Sequence, residues 1–312
     1  MTSAVHSVQP PTVTSAEELL VWLDMDQAAL DRAYDQSVWA PNQGLVQIRR
    51  DSASEQARQL LGEPERFAYG ETPIETLEVF RCAEPNAPVA IFVHGGAWRV
   101  GRAANFAFPA ETFLDAGAHY VVLDFTNVDD AGGDLMPMVA QVRRAVAWVY
   151  RNAALFGGDS ERLYLFGHSS GAHIAGVTLT TDWAADHGLP NTVLKGGVVC
   201  SGMYDLEPVR RSARSKYVNF TDVMVEALSS QRRLEHVHCP VTVLVGACES
   251  PEFIRQGRDF AAALKAAGKQ TEFLEAAGLN HFEICETLAS PYGAFGRAAL
   301  ACMGLARRPR RS

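Results

Sequence analysis

A short apolar run followed by a serine between glycines constrains this chain more than any other feature. Residues 163–166, Leu-Tyr-Leu-Phe, predict a buried strand. Residues 167–171 then fit the pattern G-x-S-x-G, and a helical pattern begins at residue 172. A strand, this motif and a helix form the context of a nucleophile elbow, a sharp turn that raises a serine hydroxyl at the carboxyl end of a strand. The sequence therefore predicts Ser169 as a nucleophile on a parallel sheet.

The rest of the chain alternates between strand and helix patterns. Helices are predicted between the strands, at about residues 103–116, 135–156 and 251–267, and a last helix at about 287–305. This alternation predicts an α/β fold with a doubly wound, mainly parallel sheet, helices on both faces and ligands at the carboxyl ends of the strands. Besides the strand before the motif, strands are predicted at residues 76–82, 88–93, 119–125, 197–201, 241–245 and 271–275.

The N-terminal region predicts a helical arm. A flexible N-terminus is expected before a helix at residues 15–24, where Ser15 and Glu18 have capping-box spacing. An exposed Trp39 lies in an irregular segment between two further helices. The arm has too little apolar material for a core of its own, so we expect it to cover the active site of a larger domain. The predicted division is an arm at 1–65, a hydrolase domain at 66–306 with a helical insertion at 203–238, and a basic disordered tail at 307–312.

Composition excludes several classes of protein. The net charge is −8, so nonspecific nucleic-acid binding is not expected. The chain contains no apolar run long enough for a transmembrane helix, and its first residues do not have the pattern of a secretory signal. Its six cysteines are widely scattered, which is typical of a reduced protein. We therefore expect a cytoplasmic protein that contacts neither membranes nor nucleic acids.

A serine nucleophile needs a base, and the base needs a carboxylate to orient it. In hydrolases with an elbow serine, the acid follows the serine in the chain and the histidine follows the acid. Each of these two partners lies in a loop after a strand. His281 fits the base, because it lies in a loop between the strand at 271–275 and the last helix. His236 and His238 with Cys239 make only a weak metal-ligand pattern, so we expect neither a metal nor a cofactor.

Two acids remain open as the orienting carboxylate. Glu249 lies in the loop after the strand at 241–245, whereas Glu252 has the place of an acid in the first turn of a helix. Asp205 follows the preceding strand, although a turn or helix cap would also explain it. Glu249 is the preferred candidate and Asp205 the alternative.

The chain also has an element suited to stabilising an oxyanion. The strand at 88–93 runs directly into His94 and two glycines. In this position the backbone N–H groups of Gly95 and Gly96 can point into the site, together with the N–H of Ser170, the residue after the nucleophile. These three residues are the predicted oxyanion hole.

These segments together resemble a known family. The segments HGGAW, GHSSGAH, SGMYDLEP, CESPEF and LNHFEI, from about residue 75 to 290, are similar to the kynurenine formamidase (arylformamidase) family of the α/β-hydrolase superfamily. The resemblance implies an α/β-hydrolase fold, Ser169 as nucleophile, His281 as base, and Gly95 with Gly96 in the oxyanion hole. Glu249 stands where the family usually has aspartate, and Ser170 where it more often has alanine. Family habit also allows a homodimer.

Three functions follow from this pattern. The first is a metal-independent amidase that uses Ser169, His281 and Glu249 to cleave an N-formyl or small acyl amide of an aromatic amine through an acyl-enzyme. The second is a carboxylesterase that uses the same triad on short-chain or aryl esters. The third is a binding module on an inactive hydrolase scaffold, which the presence of all three candidate residues disfavours. Four aromatic residues are predicted to contact the small-molecule substrate, namely Trp98, Tyr204, Phe282 and Trp39.

Overall fold

A computed structural model of the protein describes residues 20–305. The predicted flexible N-terminus, the start of the helix at 15–24 and the basic tail at 307–312 lie outside these residues. The structure describes only the last part of the helix predicted at 15–24, and this part is not helical. Residues 20–24 form a turn, which a bridge between Trp22 and Met25 closes.

One eight-stranded sheet runs through the molecule in the order β1-β2-β4-β3-β5-β6-β7-β8. The β1–β2 and β2–β4 pairs are antiparallel, and every other pair is parallel. This is the mainly parallel, doubly wound sheet that the sequence predicts. The strands are β1 (Glu65–Ala68), β2 (Thr76–Phe80), β3 (Ala87–Val93), β4 (His119–Leu123), β5 (Gly158–His168), β6 (Leu194–Cys200), β7 (Val241–Gly246) and β8 (Thr271–Ala276).

Helices cover the sheet and extend over the carboxyl ends of its strands. The α-helices are α1 (Gln27–Ala33), α2 (Gln36–Trp39), α3 (Gln43–Leu61), α4 (Ala110–Asp115), α5 (Met136–Asn152), α6 (Ser170–Leu179), α7 (Trp183–His187), α8 (Glu207–Arg211), α9 (Asp222–Leu228), α10 (Pro251–Ala266), α11 (Glu283–Glu286) and α12 (Ala294–Cys302). The predicted insertion at 203–238 contains α8, α9 and three short 3₁₀ turns. Among residues 20–305, no helix is long and apolar enough to cross a bilayer.

The central strands are apolar throughout because both faces of the sheet are covered. Every residue of β3 is buried. Ile91 and Val93 belong to a core shared with α5, α6 and α10. Phe92 belongs to a second core, shared with α4 and α12. The side chains of one strand thus alternate between two cores, which fixes its register.

The structure differs from the sequence prediction where prolines occur. The helix predicted at 103–116 is a 3₁₀ turn, Ala103–Phe106, and then α4, which begins after Pro109. The helix predicted at 287–305 is a 3₁₀ turn and α12, with Pro291 between them. Proline lacks an N–H and disfavours helical backbone in the residue before it, so both helices are interrupted there. The strand β1 was not predicted, because it is short and largely exposed.

The first three helices, which we call the arm, pack against elements from the end of the chain. The Tyr34 hydroxyl, buried behind α1, donates a hydrogen bond to Glu252 Oε2 (2.9 Å) and accepts one from Gln256 Nε2 (3.0 Å), both on α10. Asn42, before α3, donates to Glu283 Oε1 at 2.7 Å and accepts from Asn280 Nδ2 at 2.8 Å. These buried and half-buried contacts hold the arm over the carboxyl ends of β7 and β8.

Candidate active site

The predicted nucleophile lies on a strained turn between β5 and α6. Ser169 has φ 58° and ψ −126°, and α6 begins at the next residue. This backbone conformation is unfavourable for a residue with a side chain by about 1–3 kcal/mol, and such strain is concentrated at functional sites. The Ser169 N–H donates to the carbonyl oxygen of Cys200 at 2.9 Å, which ties the turn to the end of β6. The turn exposes the side chain to a cavity, although Ser169 is only 7% exposed overall.

The predicted base and its preferred acid lie beside this serine. The Ser169 Oγ donates to His281 Nε2 at 2.8 Å, and His281 Nδ1 donates to Glu249 Oε2 at 2.6 Å. Both partners are buried, in the loops after β8 and β7. The alternative acid, Asp205, caps the N–H of Glu207 and pairs with Arg232. The structure thus brings Ser169, His281 and Glu249 together and places Asp205 in a turn.

The second oxygen of Glu249 is also fully engaged. Its Oε1 accepts a hydrogen bond from the Gly246 N–H at 2.7 Å and another from the Ser201 hydroxyl. Ser201 has φ 57° and follows β6, the strand next to β7. The sequence analysis missed this residue. Its signal is the same one that marks the nucleophile, a polar side chain just past the carboxyl end of a buried central strand.

The imidazole of a second histidine, His168, contacts the backbone of the predicted base. The Nε2 of His168, the last residue of β5, donates to the His281 carbonyl oxygen at 2.8 Å, and the two rings are 4.8 Å apart. Burial lowers the pKa of His168 well below its ordinary value, and the neighbouring His281 and Arg50 lower it further. His168 is therefore a neutral donor that fixes the backbone of His281.

The loop after β3 approaches the elbow as closely as glycine permits. A Cβ on Gly95 would lie 2.8 Å from the His168 carbonyl oxygen and 3.0 Å from the Ser169 Cβ. Gly96 has φ 126°, and a Cβ there would lie 1.9 Å from the Val100 carbonyl oxygen. None of the hydrogen bonds described for residues 20–305 uses the N–H of Gly95, Gly96 or Ser170. These three amides are the ones predicted to form the oxyanion hole, and Gly95 and Gly96 line the cavity beside Ser169.

Two polar contacts hold this loop in place. The Trp98 N–H donates to Ser170 Oγ at 3.1 Å, and its indole Nε1 donates to His173 Nδ1 at 3.1 Å. His173 in turn donates from Nε2 to the Leu228 carbonyl oxygen at 3.0 Å. Burial lowers the pKa of His173 to about 4, so this link is neutral at physiological pH. The contacts offset the strain of Ala97 and Trp98, which have φ 54° and 65°.

A cavity of about 610 Å³ opens beside Ser169 and His281. Its floor includes Gly95 and Gly96, and much of its wall comes from the arm, for example Tyr34 and Gln36. The arm therefore lies over the predicted nucleophile. It is on the side of the sheet where the carboxyl ends of five strands meet. A cavity of this size suits a small molecule.

Only one of the four aromatic residues predicted to contact substrate lines the cavity. Phe282 does so, with its ring edge-on to His281. Trp98 is 3% exposed and turned toward His173, and Tyr204 is fully buried against Phe260. Trp39 faces away, and its indole donates to the Arg32 carbonyl oxygen. Substrate contact by these three stays a prediction, and each indole or phenol ring has a buried or local partner outside the cavity lining.

Other cavity residues were missed by the sequence analysis. The wall includes Phe106, Tyr217 and two arginines, Arg50 and Arg214. A signal for Arg50 was present, since it falls on the buried face of α3 between Val46 and Ser54, where an apolar residue is expected. A charged residue at such a position indicates either a structural ion pair or a binding site.

Comparison with known proteins gives a consistent result. A family model described as BD-FAE matches residues 79–258. A kynurenine formamidase of Danio rerio is 32% identical, with 86% of this chain and 93% of that protein covered. A kynurenine formamidase of Salmo salar is 30% identical with the same coverage of 86% and 93%. The crystal structure of esterase LipW from Mycobacterium marinum superimposes with a TM-score of 0.67 at 17% identity, covering 87% of this chain and 90% of that one. This last likeness confirms the predicted α/β-hydrolase fold.

Proposed function

This chain belongs to the BD-FAE family as a kynurenine formamidase-like α/β-hydrolase, and from that premise we propose that it hydrolyses the N-formyl amide of an aromatic amine. The observation that carries the proposal is the unbroken hydrogen-bond chain from Ser169 through His281 to Glu249 at the floor of the cavity. The names of the fish relatives support the formamide as substrate class.

In the first half of the proposed reaction, Ser169 Oγ attacks the formyl carbon while His281 Nε2 takes the hydroxyl proton. The carbonyl oxygen becomes an oxyanion, and the N–H groups of Gly95, Gly96 and Ser170 stabilise it. His281 then gives its proton to the amine nitrogen as the C–N bond breaks. The amine departs and a formyl ester of Ser169 remains.

In the second half, water attacks the formyl ester, with His281 again taking the proton. Collapse of the second oxyanion returns the proton to Ser169 Oγ and releases formate. Glu249 holds the Nδ1–H tautomer of His281 in both halves and stabilises the imidazolium. Ser201 and Gly246 keep that carboxylate oriented through its other oxygen.

The cavity wall supports an aromatic leaving group. Phe106 and Phe282 line it with aromatic rings, and Tyr34 and Tyr217 add two phenol rings. Aromatic walls with a few polar groups are typical of sites for small planar ligands. In this proposal the arm, helices α1 to α3, is the roof over the amine side of the substrate.

Three matched substrates test the proposal. An N-formyl anilide, the N-acetyl anilide and a short-chain phenyl ester would be compared with the wild type and Ser169→Ala. Rapid deformylation, slow deacetylation and loss of both in the variant are expected for a formamidase. Ester turnover with an inert formanilide would reject the proposal in favour of the carboxylesterase, and no turnover by a folded protein would favour a binding module.

A further inference from the structure

The peptide that joins Gly95 to Gly96 is anchored by one side chain. The carbonyl oxygen of Gly95 accepts a hydrogen bond from Nδ1 of His94 at 2.8 Å. Among residues 20–305 the structure describes no other hydrogen bond to this carbonyl, since β3 and its ladder end at Val93. A carbonyl oxygen can only accept, so Nδ1 of His94 carries a proton.

This anchor decides where the N–H of Gly96 points. The peptide is trans, because no peptide bond within residues 20–305 is cis. In a planar trans peptide the C=O and the N–H point in opposite directions. With the carbonyl oxygen held at His94, the Gly96 N–H therefore points away from the imidazole. Gly96 lines the cavity beside Ser169, and its N–H has no acceptor in the part of the chain that the structure describes.

Without the anchor, this peptide would be free to rotate. It lies between two glycines, and glycine tolerates the changes in ψ and φ that a flip of the peptide plane requires. Both positions need glycine, because a Cβ would collide with the His168 carbonyl oxygen at Gly95 and with the Val100 carbonyl oxygen at Gly96. The close approach of this loop to the elbow thus leaves the direction of the N–H to a contact from outside the peptide.

The surroundings of His94 suit an apolar ring better than an imidazole. His94 is 4% exposed and stacks between Phe106 and Phe125, with ring centres 5.2 and 4.5 Å away and an angle of 13° between the planes in both pairs. Its Nε2 is enclosed and makes no hydrogen bond to residues 20–305. A phenyl ring would fill the same place without burying an unpaired nitrogen, which is unfavourable. What a phenyl ring lacks is the Nδ1–H.

We propose that His94 is a positioning residue of the oxyanion hole, which sets the Gly95–Gly96 peptide so that the Gly96 N–H meets the oxyanion. The inference rests on the proposed function for the place where the oxyanion forms. Gly101 leaves room for the anchor, because a Cβ there would lie 2.7 Å from His94 Nδ1 and 2.9 Å from the Gly95 carbonyl oxygen. An N–H that is set in advance costs no reorganisation when the oxyanion forms.

Two substitutions at residue 94 separate the donor from the ring. His94→Phe keeps the aromatic stack and removes the donor, whereas His94→Asn removes the stack and keeps an amide N–H near the position of Nδ1. In His94→Phe we expect kcat for an N-formyl anilide to fall about 100-fold with KM within about threefold, because the misdirected donor acts in the transition state. His94→Asn should recover about tenfold of that loss or more. Urea denaturation should find His94→Phe no less stable than the wild type.

A reversible inhibitor tests the oxyanion hole without turnover. Ser169 Oγ adds to the carbonyl carbon of trifluoroacetophenone, its proton passes to His281, and the ketone oxygen becomes an oxyanion with no leaving group. Fluorine NMR detects this adduct and measures its affinity, and Ser169→Ala should form none. His94→Phe should weaken the adduct about tenfold or more, and His94→Asn less.

A second variant disturbs the anchor without changing His94. The methyl group of Gly101→Ala would enter the contact between His94 and the Gly95 carbonyl oxygen, so this variant should also weaken the adduct. If His94→Phe does not fold, Gly101→Ala decides by the same affinity. His119→Phe is the matched control, because His119 is also buried against a phenylalanine but begins β4, at the opposite end of the sheet from Ser169. It should change neither kcat nor the affinity for the ketone.

The outcomes separate this inference from the proposed function. A folded His94→Phe with the kcat and ketone affinity of the wild type would overturn the inference, as would equal losses in His94→Phe and His94→Asn. An adduct that depends on His94, in a protein inert toward N-formyl anilides, would reject the formamidase and keep the role of His94. A wild type that forms no adduct would overturn both.

Discussion

The Ser201 hydroxyl donates to Oε1 of Glu249, the carboxylate oxygen that His281 does not use. Each oxygen of this buried acid therefore has a defined donor, and the Gly246 N–H adds a second donor to Oε1. Carboxylates with several donors are held in one orientation, and that orientation aims Oε2 at the imidazole. Ser201 is thus a positioning residue for the predicted triad.

Replacing Ser201 with alanine should show both consequences. We expect kcat for an N-formyl anilide to fall about tenfold and the free energy of unfolding to fall by about 1–3 kcal/mol, because a buried charged acceptor loses a donor. Urea denaturation and steady-state kinetics provide the two measurements. Ser230→Ala is the control, since its buried hydroxyl has no partner among residues 20–305. Equal losses in the two variants would contradict the role of Ser201.

Glu249→Gln should be more damaging to rate than to stability. The amide can still contact His281 Nδ1, but it favours the wrong tautomer and cannot stabilise an imidazolium, so we expect kcat to fall by about 10³–10⁴-fold. Asp205→Asn, which alters the other candidate acid, should leave kcat within about threefold of wild type, because the Asp205 side chain contacts Glu207 and Arg232 rather than His281. The reverse order of these two variants in a kcat comparison would make Asp205 the orienting acid.

Gly96→Ala tests the oxyanion loop. The new methyl would collide with the Val100 carbonyl oxygen in a backbone conformation that disfavours side chains. The loop must move, and loss of one oxyanion donor typically reduces kcat by about 10²–10³-fold. Gly268→Ala has a similarly unfavourable φ of 71° but open space around the Cβ. That control should lose some stability and keep its kcat; an equal kcat loss in both would point to general destabilisation.

The buried His173 should make the protein sensitive to acid. Its pKa of about 4 lies below the ordinary value of 6.5, so between these pH values the unfolded chain binds a proton that the folded chain does not. Stability therefore falls as pH falls through this window, by about 2 kcal/mol between pH 7 and pH 5 for this one group. His173→Asn should show a smaller difference between urea titrations at the two pH values. His238→Asn, at an exposed position, should keep the wild-type difference in stability between the two pH values. If His173→Asn also keeps it, protonation of His173 is not the cause of the acid sensitivity.

Tyr34→Phe tests the docking of the arm. The change removes a buried hydroxyl that joins Glu252 and Gln256, so both lose a partner. We expect faster hydrogen exchange in α1 and a KM that rises more than kcat falls, because the arm forms the cavity roof. Tyr150→Phe, whose hydroxyl contacts Glu161 at the surface, should change neither. Unaltered exchange in α1 of the Tyr34 variant would show that other contacts hold the arm.

The residues that sequence could identify are those with local signals. Ser169 lies in a motif with a strand before it and a helix after it, and His281 follows from strand order, so both could be placed without a structure. Glu249 and Asp205 could not be separated, because each follows a central strand and only loop geometry brings one to the base. The burial of Trp98 and Tyr204 outside the cavity lining could not be predicted, because nearness to a motif in sequence does not say which way a ring points. The cavity wall was out of reach, since it depends on contacts such as Tyr34 with Glu252, far apart in the chain.

The docking of the arm also has a consequence for biosynthesis. The arm is translated more than two hundred residues before its anchors at Glu252, Gln256 and Glu283. Until then, the nascent chain has neither the roof of the cavity nor His281. A polypeptide that ended before α10 would lack His281 as well as the anchors of the arm, so in the proposed mechanism its Ser169 would have no base.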